Sequence, residues 1–189
     1  MRIGNINDLF INDAAQALYE CWRALPREDN QICPKRFELN FANLPINFRQ
    51  HAFILANHEK GILSATDIGT VVTSFLGERL DGQNLSERHG PSQMKYETPY
   101  YDAVYGQPCA GVLTRRTVNQ QGTHANFVSC HLPLLDYKNE VRYLLGIVEI
   151  TNVEAPELIG SPIIFDNSHI TDRMLVDIGA GIPTSETQS

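Results

Sequence analysis

Apolar positions in the first third of the chain recur at helical spacing and then switch to the two-residue period of strands. Leu9, Ala14, Leu18, Trp22 and Leu25 predict a helix over residues 8–25, with Asn7 or Asp8 as its cap and Pro26 as its stop. A polar link leads to a short helical piece opened by Pro34. Over residues 41–49, Leu44 and Phe48 share a helical face that Pro45 interrupts. From His51 the texture changes. The run HAFILAN, a Glu59–Lys60–Gly61 turn and the run ILSATDI predict an antiparallel hairpin. Residues 69–76 then predict a helix with Gly77 at its C-terminal cap.

The second half is plainer. Thr98 can cap a helix whose first position suits Pro99, Gly106 can end it, and Pro108 prevents its resumption. Three strand-like runs follow, at 109–118, 125–135 and 142–150, separated by the polar turns QQGT and DYKNE. Five antiparallel strands with helices between them predict an α+β layer architecture. Residues 1–30 are expected to form an N-terminal helical unit and residues 31–151 the domain proper. Residues 152–189 are expected to be a partly disordered C-terminal extension ending in the polar TSETQS. Within that extension Ile170, Met174 and Ile178 predict a short docking helix, preceded by Ser168 and followed by Gly179.

Composition narrows the classes. The 189 residues carry 22 acidic against 15 basic side chains, a formal charge of −7, with the basic residues scattered. An acidic surface repels phosphate backbones, so nucleic acid is not an expected partner. No apolar run reaches the roughly 20 residues that span a bilayer, so no membrane association is expected. The opening residues lack the basic flank and apolar core of an export signal, and the cytoplasm is the expected compartment. Cys21, Cys33, Cys109 and Cys130 form no C-x-x-C pair and read as reduced, mostly buried thiols.

The chain resembles a PAS domain, of the single-domain bacterial PAS-like kind that opens with a tryptophan-bearing helix. The residues that carry the resemblance are WRALP at 22–26, PKRF at 34–37, IGT at 68–70, LG at 76–77 and Gly82. They continue with YDAV at 101–104 running into GQP at 106–108, LPL at 132–134 and LGIV at 145–148. The resemblance implies a five-stranded antiparallel sheet flanked by short helices. It also implies sensing and signalling, and homodimers built through the N-terminal helix, here by Leu18 and Trp22. Two positions depart from the family pattern. Ser64, Ala65 and Thr66 stand where an aromatic and a basic residue are usual on the second strand, and Asp81 replaces the threonine before Gly82.

Candidate chemistry is sparse. His51 and His58 are seven residues apart, as are His124 and His131, and an odd spacing along a strand puts two side chains on opposite faces. Neither pair can chelate one metal, and no metal is expected. The same alternation separates Cys130 from His131, which disfavours a thiol activated by its neighbour. Residues 98–106 contain neither the histidine of PAS haem sensors nor the Asn-Cys-Arg-Phe run of flavin sensors, so both cofactors are disfavoured. Tyr96, Tyr100, Tyr101 and Tyr105 crowd one segment and suit a pocket wall, an interface or a lid packed on the sheet. Arg115 and Arg116 must point to opposite faces, and the inward one needs a carboxylate or an anionic ligand. The candidate pocket is therefore Tyr96, Tyr100, Tyr101, Arg115 and Cys130. The expectation is a non-enzymatic PAS-like regulator that binds a small molecule or a protein partner. The alternatives are a ligand-free interaction adaptor and, third, a small enzyme on a similar fold. With no kinase, cyclase or DNA-binding module in view, output is expected through another protein.

Overall fold

The computed structural model describes residues 1–59, 62–76, 84–85, 91–118, 124–151 and 169–183. Gly77, Asp81 and Gly82, residues 152–168 of the extension and the C-terminal TSETQS lie outside them.

The predicted first helix is two pieces, because two asparagines cap in succession. Asn5 accepts from the Asn7 amide to start a 3-10 turn at Ile6–Leu9. Asn12 then accepts from the Ala15 amide at 2.8 Å and opens α1, Asp13–Ala24. Leu25 is already extended, the conformation favoured before proline. A single turn, α2 (Ile46–Arg49), precedes the hairpin of β2 (Ala52–Glu59) and β3 (Ile62–Ile68). Helix α3, Thr70–Leu76, follows directly. Gly69 at that junction lies so close to the Gln50 carbonyl that a Cβ would collide with it.

Helix α4 spans Pro91–Gly106, about two turns longer than expected. Pro91 rather than Pro99 takes the first position, and Pro99 sits inside the helix, where it forgoes one backbone hydrogen bond. Strands β4 (Ala110–Val118), β5 (His124–Leu135) and β6 (Val141–Thr151) form the expected meander. Asp136 holds the β5–β6 turn by accepting from the Lys138 and Glu140 amides.

Among the described residues the sheet has seven strands, not five, in the order β1 (Arg2–Gly4), β7 (His169–Val176), β4, β5, β6, β2 and β3. The five expected strands are contiguous and antiparallel within it. The additions are β1 and β7: β7 runs antiparallel to β4, and β1 runs parallel to β7. The expected docking helix around Met174 is thus a strand. A spacing of four residues puts side chains on one face of a strand as well as of a helix, and pairing with β4 decided between them.

One row across the sheet runs Phe53, Gly146, His131, Gly111 and Leu175. The adjacent row, facing the other way, runs Ala52, Ile147, Cys130, Val112 and Met174, and all five are buried. The N-terminal region helps to close that second side, where Met174 lies against Gly4 and Leu9 joins the core.

Candidate functional site: the buried face of α4

Helix α4 lays Glu97, Tyr100 and Val104 against the sheet, each 1% exposed or less. Their spacing of three and four residues is one helical stripe. Two polar contacts tie that stripe down. The Glu97 carboxylate meets the Arg115 guanidinium of β4 at 2.9 Å, with the side chains 2% and 13% exposed. The Tyr100 hydroxyl and His131 Nδ1 of β5 are 2.7 Å apart, and the histidine tautomer decides which of them donates.

The space for these groups comes from two glycines. A Cβ at Gly111 would strike the Tyr100 hydroxyl, and one at Gly146 would strike the Phe53 ring. Tyr100 therefore settles over Gly111, Phe53 over Gly146, and His131 sits between them. Phe53 and Tyr101 both meet the imidazole edge to face, with centroids 5.7 and 6.0 Å away.

This environment suppresses proton chemistry. Burial, aided by the Arg115 charge, lowers the His131 pKa to about 3, so the ring is neutral at physiological pH. Burial raises the phenols of Tyr100, Tyr101 and Tyr105, and Tyr101 is raised further by Glu97 while Arg115 opposes it. The thiols of Cys33, Cys109 and Cys130 are each pushed up to about 12, chiefly by burial. None of these groups is poised as a nucleophile or base.

Of the expected pocket residues, the structure brings together Tyr100, Tyr101 and Arg115. Tyr96 is 55% exposed, and its carbonyl accepts from Arg173 at 2.7 Å. Cys130 belongs to the opposite face of the sheet from His131, by the same alternation that separates neighbours on any strand. Leu18 and Trp22, the expected dimer contacts, are buried within the chain. The Trp22 indole N–H donates to the Pro133 carbonyl at 2.8 Å. Their apolar face is consumed by the protein's own core, so self-association would need another surface.

Sequence reasoning missed Glu97 and His131. Glu97 falls one residue before the expected helix start, so its place four residues before Tyr101 went unread. His131 carried one signal, a lone titratable group in the apolar run CHLPLL. Among the described residues no group of three or more His, Cys, Asp or Glu side chains could hold a metal ion. Among them too, no helix is long and apolar enough to cross a membrane.

No family model and no curated protein matches the sequence. Among solved structures, the chain is similar to the PAS domain of a protein from Colwellia psychrerythraea, with 18% identity over 52% of this chain and 85% of that one and a TM-score of 0.38.

Proposed function

We propose that the protein is a PAS-like regulatory module that passes a signal by protein contact, with α4 as the responding element. The observation that carries this reading is the pair of buried polar ties, Glu97–Arg115 and Tyr100–His131, between a lid helix and the sheet. Buried polar pairs are geometrically demanding, so α4 has a defined docked position that a partner can stabilise or break. The space beneath its middle is filled by Tyr100, His131 and Phe53, which supports protein contact over a ligand enclosed there. The neutral imidazole and the raised phenols and thiols support a non-enzymatic role.

Photo-crosslinking in living source cells tests the proposal. A crosslinking amino acid replaces Tyr96, exposed on α4, or Tyr137, exposed in the β5–β6 turn, as the control. The expected result is a discrete protein adduct from position 96 that changes in yield when Glu97→Gln loosens the helix. No adduct specific to position 96, or one indifferent to Glu97→Gln, would overturn it.

A further inference from the structure

Beyond its middle, the α4–sheet contact leaves polar groups without partners. Tyr105 lies one helical turn past Tyr101, and Asn57 lies four residues past Phe53 on β2, so both prolong the stripe just described. The Tyr105 hydroxyl and Asn57 Oδ1 are buried and have no hydrogen-bond partner among the described residues. Buried polar atoms are ordinarily satisfied, and an orphan calls for an explanation. Both residues line one cleft of about 440 Å3 at the C-terminal end of α4, together with Asp102, Glu140, Val141 and Arg142. That volume falls within the roughly 300–1,000 Å3 of small-molecule sites.

The chemistry of the lining has a sign. Arg142 is engaged by Glu140, with Nη2 and Nε donating to Oε2 at 2.8 and 3.1 Å. Asp102 is exposed and makes no ion pair among the described residues, so its carboxylate is the uncompensated charge of the cleft. Asn57 Oδ1 and the Asp102 carboxylate only accept hydrogen bonds, and the Tyr105 hydroxyl accepts as well as donates. The C-terminal end of α4, at Gly106, adds the negative pole of a 16-residue helix. Acceptors, a carboxylate and a negative pole together fit a cation that carries N–H donors.

We propose that this cleft binds a small organic amine, its ammonium group held by Asp102, Asn57 and the Tyr105 hydroxyl and its chain lying along Val141. The inference does not depend on the regulatory role.

Amide NMR titration of the full chain tests it with three four-carbon probes: putrescine, butane-1,4-diol and succinate. Putrescine should give saturable shifts confined to residues 57, 102–106 and 139–142, while the diol and succinate leave those signals in place. Asp102→Asn, a change at an exposed position, should weaken putrescine at least tenfold without moving the rest of the spectrum. Tyr105→Phe should weaken it several-fold. No saturable shift with putrescine would overturn the proposal. An equal response to the diol would remove the charge argument, saturation by succinate would make the cleft an anion site at Arg142, and undiminished binding by Asp102→Asn would remove the assigned partner; each also overturns it.

Discussion

Gly111 shows how much one missing Cβ can govern. The residue is on a strand, where glycine is ordinarily a weakness, and it has no unusual backbone angle to excuse it. Its role is steric: the Tyr100 ring lies where a side chain would be, 2.9 Å from an added Cβ, with the hydroxyl closer still. Gly111→Ala should therefore cost about 1–3 kcal/mol of stability, the usual penalty for overpacking a dense core. Tyr100→Phe alone should cost about 1–3 kcal/mol by leaving His131 Nδ1 unpartnered. Because Tyr100→Phe removes the nearest of the Tyr100 atoms that Gly111→Ala strikes, the double variant should be less damaged than the two costs predict. Urea denaturation of the four proteins measures this. Strict additivity would mean that Gly111 and Tyr100 do not share that space.

Strand β7 is where element-level and residue-level signals part. Its side chains Met174, Leu175 and Val176 are all nearly inaccessible, and it bridges β1 and β4. Without it β4 would be a sheet edge with unpaired backbone groups. The strand is therefore integral to the core, although it lies beyond the five strands that the resemblance implies. Met174→Ala should cost about 2–5 kcal/mol, as buried Met-to-Ala changes do. A surface-docked tail would lose far less, so a midpoint in urea within a few tenths molar of the parent would contradict this assignment. The Arg2–Asp172 ion pair between β1 and β7 is largely exposed and adds little by comparison.

At the scale of the whole molecule, the buried polar groups tie stability to pH. The His131 pKa is lowered from its ordinary 6.5 to about 3 in the folded protein, by burial first and the Arg115 charge second. Between those values the unfolded chain holds a proton that the folded chain rejects. The contribution is thus fully present above pH 6.5 and is lost as the pH falls toward 3, at up to roughly 1.4 kcal/mol per unit. Unfolding free energies at pH 7, 6 and 5 should fall more steeply for the parent than for His131→Gln, and parallel profiles would remove His131 as the cause. Much of this architecture was legible in the chain. Apolar periods and turn residues located five strands, α3 and the C-terminal part of α4, because such patterns belong to contiguous residues and the backbone that joins them. The demand of Arg115 for a buried anion was legible too, since alternation forces one of two adjacent arginines inward. Its partner was not, because Glu97 and Arg115 meet only when α4 docks on β4. Likewise the four-residue spacing around Met174 satisfies helix and strand equally, and only the open edge of β4 selected the strand. The glycines that admit Tyr100 and Phe53 belong to the same class, as do the orphan hydroxyl and amide of the cleft. Such relations arise from register between segments far apart in the chain, which no local period encodes.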